Sequence, residues 1–148
     1  MGAGKSWFVR CFDALVPLEE DLPVIHVSGH VARAWCRWAS RRLPTEAEWE
    51  AAALAAPADA GGALAAHKRR YPWGDEIPDP GLANLDALAG GPLEVGALVH
   101  GDSALGCGQM LGNVWEWVEE SSRAYPGYLL ERFPEWSASS AGERMVLR

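Results

Sequence analysis

The spacing of hydrophobic and polar residues in the first third of the chain predicts an amphipathic helix. Ser28 precedes residues 29–39, and a serine hydroxyl at this place accepts a hydrogen bond from a backbone N–H in the first helical turn. Four apolar residues then recur at helical spacing: Val31, Ala34, Trp35 and Trp38. We therefore expect a helix over 29–39 that buries this apolar stripe.

The sequence Thr45-Glu-Ala-Glu48 predicts the start of a second helix. It is a capping box, in which the Thr45 hydroxyl and the Glu48 carboxylate each accept a hydrogen bond from the other residue's backbone N–H. Glu46 adds negative charge at the positive end of the helix dipole. We expect this helix to run to about Ala56 and to bury a second stripe: Trp49, Ala52, Ala53 and Ala56. The capping box is therefore interpreted as architecture and not as chemistry.

Runs of β-branched, aromatic and other apolar residues predict strands at 7–13, 24–27 and 143–148. We expect His26 to be packed and His30 to be exposed. The two histidines straddle a strand-to-helix junction, so their spacing does not predict a metal site. Residues 57–66 are rich in alanine and glycine and predict a surface loop, whereas residues 84–96 predict little regular structure.

Residues 112–118 combine a turn with a strand pattern. They begin with the turn dipeptide Gly-Asn and then alternate between the two faces of a strand. Trp115 and Trp117 would share one face, which we interpret as core, and Glu116 would lie on the other. A carboxylate between two indoles is expected to be partly buried. Glu116 would then need a partner, which is a metal, an arginine or backbone donors.

Composition and charge narrow the class of protein. The chain of 148 residues is long enough for one domain. Its formal net charge of −7 argues against nucleic acid and anionic membrane as partners, because both require a basic surface. Nothing in the sequence resembles a signal peptide or a membrane-spanning run. The three cysteines, Cys11, Cys36 and Cys107, are therefore interpreted as free thiols in a reducing cytoplasm.

Four motifs, in their order and spacing, resemble the domain of the formylglycine-generating enzyme (sulfatase-modifying factor) family. They are Arg42-Leu-Pro-Thr-Glu-Ala-Glu-Trp-Glu50, Tyr71-Pro-Trp-Gly-Asp75, Ala83-Asn-Leu-Asp86 and Gly112-Asn-Val-Trp-Glu-Trp117. Further segments resemble one branch of the family, the C-terminal half of the sulfoxide synthases of ergothioneine biosynthesis. They are Pro23–Ser28, Gly101–Ala104, Gly106-Cys107, Gln109-Met110 and Tyr125–Tyr128.

The resemblance implies a fold class and a domain organisation. It implies one α+β, C-type-lectin-like domain over residues 1–148, loop-rich, with two helices packed on small antiparallel sheets. In the family, the Val-Leu-Arg that ends this sequence continues into a segment that completes the sheet. The sulfoxide synthases also carry an N-terminal helical-bundle domain that holds iron(II) through three histidines. We therefore expect a chain that is incomplete at both ends and lacks the iron ligands.

The same resemblance implies a function for the complete enzyme. It is the oxygen-dependent joining of cysteine or γ-glutamylcysteine to trimethylhistidine, with the iron site supplied by a partner domain or subunit. The isolated chain is expected to be inactive. Two alternatives stay open: a relative of the formylglycine-generating oxidases, or a non-catalytic lectin-like binding or scaffold domain.

Candidate site residues also follow from the resemblance. In the synthase branch a tyrosine that follows the Gly-Asn-Val-Trp-Glu-Trp strand is a catalytic acid, and Tyr125 or Tyr128 would take that role here. In the wider family calcium is bound near the Asn-Leu and Gly-Asn-Val-Trp-Glu motifs. The corresponding positions are Asn84 and Leu85 for one site and Gly112, Val114 and Glu116 for the other, several of them through backbone carbonyls. Mixed carboxylate and carbonyl oxygen ligation suits Ca²⁺.

Overall fold

Two helices and three two-stranded antiparallel sheets form the regular structure of the described residues. The computed structural model describes residues 6–58, 64–121 and 145–148, without the side chains of residues 120 and 121. In chain order the elements are β1 (Phe8–Cys11), β2 (Ala14–Pro17), α1 (Gly29–Trp38), α2 (Glu46–Leu54), β3 (Ala55–Pro57), β4 (Leu64–Lys68), a 3₁₀ turn (Val99–Gly101), β5 (Trp117–Ser121) and β6 (Met145–Leu147). The pairs are β1–β2, β3–β4 and β5–β6. The predicted α+β class is confirmed.

The chain begins with a β-hairpin made of β1 and β2. Phe8 pairs with Pro17 and Cys11 pairs with Ala14, so a two-residue turn joins the strands. The strand predicted at 7–13 is confirmed over Phe8–Cys11, but its partner strand was not predicted. A proline ends β2, where a missing N–H does not break the ladder. Every residue of both strands is exposed.

Helix α1 starts where the sequence predicts, but it buries a different face. The Ser28 hydroxyl accepts a hydrogen bond from Val31 N at 3.3 Å, which confirms the N-cap. The predicted burial of the apolar stripe is wrong, since Trp35 and Trp38 are 56% and 81% exposed. The buried residues of the helix are Gly29 and Cys36. These two small residues lie seven positions apart, on one face. A Cβ at residue 29 would lie 2.2 Å from Sδ of the flexible Met145 side chain, so the glycine gives this side chain room to pack against the start of the helix.

Helix α2 is capped as predicted and ends earlier than predicted. The Thr45 hydroxyl accepts from Glu48 N at 3.1 Å, and the Glu48 carboxylate accepts from Thr45 N at 2.8 Å. The predicted stripe is confirmed in its buried members Ala53 and Ala56. The helix ends at Leu54 because the next three residues form β3 and pair with β4. The surface loop predicted at 57–66 is wrong at both ends, which belong to these strands.

Strands β5 and β6 lie next to the packed face of α1. Trp117 pairs with Leu147, and Glu116 exchanges backbone hydrogen bonds with Arg148 at 2.7 and 2.9 Å. Val118 is fully buried. The strand predicted to begin at Val114 begins at Trp117, three residues later. The strand predicted at 143–148 is confirmed over Met145–Leu147, where it has one strand partner among the described residues.

The strand predicted at residues 24–27 is wrong. Val24 is 79% exposed, and no strand pairs with this segment in the described part of the chain. His26 has a φ of +60°, a left-handed conformation that interrupts an extended run. It is exposed, against the predicted packing, whereas His30 is exposed as predicted.

Candidate functional site

The Gly112-Asn113 turn lies against the Asn84-Leu85 segment. Both turn residues have left-handed backbone angles, with φ of +81° for Gly112 and +60° for Asn113. A Cβ at residue 112 would lie 2.5 Å from the Asn84 carbonyl oxygen and 2.8 Å from a methyl carbon of Leu85. Glycine at this place therefore meets two requirements, a positive φ and a close approach of two backbone segments. The turn predicted from the dipeptide is confirmed.

The side chain of Asn113 ties three loop segments together. Its carbonyl oxygen accepts from Leu93 N at 2.8 Å and from Asn84 Nδ2 at 3.1 Å. Its amide nitrogen donates to Leu93 O at 3.1 Å and to the Gln109 side-chain carbonyl. Its backbone N–H donates to Asn84 O at 2.9 Å. The two bonds to Leu93 imitate a β-bridge, so one side chain replaces a strand partner for an irregular loop.

Gln109 extends this network along the next loop. Its amide nitrogen donates to Glu94 O at 2.7 Å and to Ala97 O at 3.1 Å, while its carbonyl accepts from Asn113. We call the connected residues Asn84, Leu93, Gln109 and Asn113 the Asn113 clamp. The role of Gln109 and Asn113 was not predicted, although an Asn after a glycine in a turn is a signal for a local side-chain-to-backbone hydrogen bond.

The Asn113 clamp forms part of the wall of a cavity of about 600 Å³. The cavity lies between residues 84–92 and 109–116, and Trp49 and Arg148 complete its lining. The five predicted calcium positions all line this cavity: Asn84, Leu85, Gly112, Val114 and Glu116. The structure thus brings together residues that are up to 32 positions apart, although their role as ligands stays a prediction.

Glu116 has a side-chain partner that was not predicted. Its Oε2 accepts a hydrogen bond from Trp49 Nε1 at 2.7 Å, and both side chains are partly buried. The indole N–H is therefore a partner that was not among the predicted metal, arginine or backbone donors. This bond fixes α2 against the cavity, because Trp49 belongs to the helix and Glu116 to the cavity wall.

Arg148 carries the positive charge beside the cavity. Its Nη2 lies 2.5 Å from Glu46 Oε1 and 3.2 Å from Glu50 Oε2, so it bridges two carboxylates of α2. Lys68 forms an ion pair with Glu50 from the other side. The hydrogen bond from Lys68, together with the charge of Arg148, lowers the pKa of Glu50 below its usual value. Glu50 therefore stays ionised. It acts as an ion-pair partner of Arg148 and not as a proton donor.

Trp115 lies between two cavities and is not part of the core. It is 77% exposed, so the prediction that it is buried is wrong, while Trp117 is half-buried and donates to Val27 O at 3.0 Å. A second cavity of about 610 Å³ lies on the other side of residues 113–116. Its lining is mostly apolar and includes His26, Leu43 and Leu147. The segment that carries Trp115 therefore separates two cavities of similar volume.

The two candidates for the catalytic acid cannot be placed relative to this cavity. Tyr125 and Tyr128 lie outside the described residues. Within the described part of the chain, no group of three or more His, Cys, Asp or Glu side chains could hold a metal ion. The Glu116 carboxylate and the backbone carbonyls at the cavity are oxygen donors of the type that calcium takes.

The sequence matches the family described as "Sulfatase-modifying factor enzyme 1-like domain" over residues 13–148. The chain therefore belongs to this family, as the motifs predict. Within the family it is 42% identical to a hercynine oxygenase of Mycolicibacterium thermoresistibile over 142 residues, which are 93% of this chain and 30% of that protein. It is 41% identical to a hercynine oxygenase of Mycolicibacterium smegmatis, covering 93% of this chain and 32% of that protein.

A relative with another name is similar over a shorter stretch. The chain is 38% identical to a formylglycine-generating enzyme of Streptomyces coelicolor over 109 residues, which are 66% of this chain and 32% of that protein. The chain thus spans about a third of the length of these relatives. No described helix has the length and the hydropathy needed to cross a membrane.

Proposed function

We propose that this chain is the sulfatase-modifying-factor-type domain of a hercynine oxygenase in ergothioneine biosynthesis, in which cysteine or γ-glutamylcysteine is joined to trimethylhistidine. The observation that carries the proposal is the 42% identity to a hercynine oxygenase across 93% of this chain. The similarity to a formylglycine-generating enzyme covers only 66% of the chain. The three cysteines are free, which agrees with a reducing cytoplasm as the location. The C-type-lectin-like fold type belongs to the same proposal.

The geometry supports a positioning role for the chain's own residues. The Asn113 clamp fixes the loop at residues 91–97 through hydrogen bonds to Leu93, Glu94 and Ala97. Glu116 and Arg148 add opposite charges to the cavity lining, and Trp49 holds the Glu116 carboxylate in place. A rigid wall with a few fixed polar groups suits a site that orients a small polar substrate. Iron(II) in this proposal is held by another domain or subunit, and the catalytic acid is Tyr125 or Tyr128.

Calcium at the cavity is a structural part of the proposal. Glu116 would supply carboxylate oxygen, while Asn84, Leu85, Gly112 and Val114 would contribute backbone or amide oxygens. When bound, calcium would join the two cavity walls. Calcium should then raise the melting temperature of the purified chain, and magnesium should not, because magnesium demands stricter octahedral geometry. A Glu116→Gln variant should lose the response, and an equal response in the variant would contradict this site.

A chimeric enzyme tests the proposed function directly. In the hercynine oxygenase of Mycolicibacterium smegmatis, the segment that matches this chain is replaced by this chain. The chimera is incubated with trimethylhistidine and either cysteine or γ-glutamylcysteine, and the joined product is measured by mass spectrometry. We expect product formation that requires oxygen, because the chain should supply the same cavity and wall. The matched control carries the corresponding segment of the Streptomyces coelicolor enzyme and should give no product. A folded chimera of this chain that is inactive beside an active parent would contradict the proposal.

A formylglycine-generating oxidase is the second candidate, because a relative of that name is 38% identical over 109 residues. The reciprocal chimera in the Streptomyces coelicolor enzyme decides between them. Formylglycine formation in that chimera, with no product in the first, would favour the second candidate. Inactivity of both folded chimeras would favour a non-catalytic binding or scaffold domain.

A further inference from the structure

The β1–β2 hairpin has one face that is entirely apolar and exposed. Residues paired across an antiparallel hairpin point to the same side, and the strand register therefore assigns each side chain to a face. The hydrogen bond from Leu18 N to Trp7 O, at 2.8 Å, adds one more pair to the ladder. The face that contains the pair Val9–Val16 consists of Trp7, Val9, Cys11, Ala14, Val16 and Leu18. We call it the hairpin face. Trp7 is 66% exposed and Leu18 is 48% exposed.

The tip of the hairpin carries a large aromatic residue in an unfavourable backbone conformation. Phe12 is 95% exposed and has a φ of +53°. The left-handed region is rarely adopted by bulky residues, and turns of this kind favour glycine, asparagine or aspartate. Phe12 is not buried against the described residues, so packing within this part of the chain does not explain a phenylalanine at the tip. Strained, exposed aromatic residues are typical of binding surfaces.

The charged residues around the hairpin indicate what could cover it. Among residues 7–21 the acidic side chains are Asp13, Glu19, Glu20 and Asp21, all of them exposed. The one basic residue of that stretch, Arg10, lies on the opposite face because it alternates with Val9 and Cys11. An acidic rim attracts a basic partner and repels a second copy of this chain, whose net charge is −7.

We propose that the hairpin face binds a partner polypeptide that presents an apolar ridge bordered by lysine or arginine. Phe12 would be the anchor at the tip, and the acidic rim would orient the partner. The outer edges of β1 and β2 pair with no further strand in the described residues, so an extended partner segment could also add to the sheet. A two-stranded hairpin is marginally stable in water, which is a further reason for it to need a covering surface. This inference does not depend on the proposed function.

A pair of peptides tests the proposal with the intact chain. One is a short strand peptide in which valine and threonine alternate and lysines stand at both ends, and the other has glutamates in place of the lysines. Binding is measured by fluorescence anisotropy of the labelled peptides. We expect saturable binding of the lysine peptide, weakened by added salt, and much weaker binding of the glutamate peptide.

Variants locate the binding site on the hairpin face. Val16→Ser removes an apolar side chain from its centre and should weaken binding of the lysine peptide by about tenfold, as expected for a central contact. The matched control is Ile77→Ser, since Ile77 is 80% exposed and lies outside the hairpin. The control should bind like the parent chain. Circular dichroism verifies that both variants are folded.

Phe12→Gly separates binding from stability. Glycine relieves the positive φ, so this variant should raise the melting temperature while it weakens peptide binding. A residue with a purely structural role would not change the two quantities in these opposite directions. Three results would overturn the proposal: equal binding of the two peptides, unchanged binding by Val16→Ser, or a dimer of the parent chain that Val16→Ser dissociates. The dimer would show that a second copy covers the hairpin face.

Discussion

The Asn113 clamp and the β1–β2 hairpin differ in how much the rest of the chain supports them. In the clamp, both polar atoms of the Asn113 side chain have partners within the chain, and the neighbouring backbone is held by them. In the hairpin, the ladder is regular, but all eight strand residues are exposed. Regular secondary structure therefore does not mark the stable region of this chain, because side-chain hydrogen bonds hold the loops, whereas the strand pair is uncovered.

The largest effect on stability is expected from Gly112→Ala. The added Cβ would be placed 2.5 Å from Asn84 O in a backbone conformation with φ of +81°, so both a clash and strain result. We expect a loss of about 3 kcal/mol in the free energy of unfolding, measured by urea denaturation. The control is Gly91→Ala, which lines the same cavity and has no atom within 4 Å of its Cβ position. Equal stability of the two variants would show that the turn is not closely packed.

Asn113→Asp tests the hydrogen bonds of the clamp with almost no change of shape. The carboxylate cannot donate to Leu93 O or to the Gln109 carbonyl, and it places oxygen against oxygen at both. We expect a loss of about 2 kcal/mol in the free energy of unfolding, because partly buried polar groups lose their partners. The reverse exchange Asp86→Asn, at an exposed loop residue, should have little effect. A stable Asn113→Asp variant would mean that the clamp does not hold the loop.

A smaller effect is expected at the start of α2, which supports the cavity through Trp49. Thr45→Ala removes the hydroxyl that accepts from Glu48 N at 3.1 Å and should cost about 1 kcal/mol. Thr45→Ser keeps the hydroxyl and should retain most of the stability. Thermal unfolding of the three proteins measures the difference. If alanine and serine have the same effect, Thr45 does not act as the cap in solution.

The smallest effect is a pH dependence at the same helix start. The hydrogen bond from Arg42, at 2.6 Å, and that from the Thr45 backbone lower the pKa of Glu48 to about 2, from 4.5. Because the pKa is lower in the folded chain, this stabilisation is present above pH 4.5 and is lost as the pH falls from 4.5 to 2. Glu48→Gln keeps a capping side chain without the charge, so its melting temperature should fall less over this range. Identical pH profiles for both proteins would contradict the assignment.

The helix starts could be predicted from the sequence because their signals are local. Ser28 and Thr45 each accept from the N–H three residues later, which needs no knowledge of the rest of the fold. The buried face of α1 could not be predicted in this way. Periodicity shows that Trp35 and Trp38 share a stripe, but it does not show which face other elements cover: Gly29 lies against Met145 of β6, and the two indoles are exposed.

The residues of the candidate site were predicted from the motifs, but neither their grouping around one cavity nor their contacts were. The motifs assign Asn84 and Leu85 to one calcium site and Gly112, Val114 and Glu116 to another, whereas all five residues line one cavity. The partner of Glu116 is an indole 67 residues earlier in the chain, and no local pattern contains such a contact. The strand predicted from Val24 failed for a similar reason, since a β-branched run forms a strand only where another strand can pair with it.

Hydrogen exchange of individual backbone amides tests the central claim that the Asn113 clamp is the stable region and the hairpin face is uncovered. The amides of Leu93 and Asn113, which donate to Asn113 Oδ1 and Asn84 O, should exchange slowly, with protection close to that of global unfolding. The ladder amides of β1 and β2 should exchange faster, through local opening of the hairpin. Hairpin amides that are protected as strongly as those of the clamp would contradict the account.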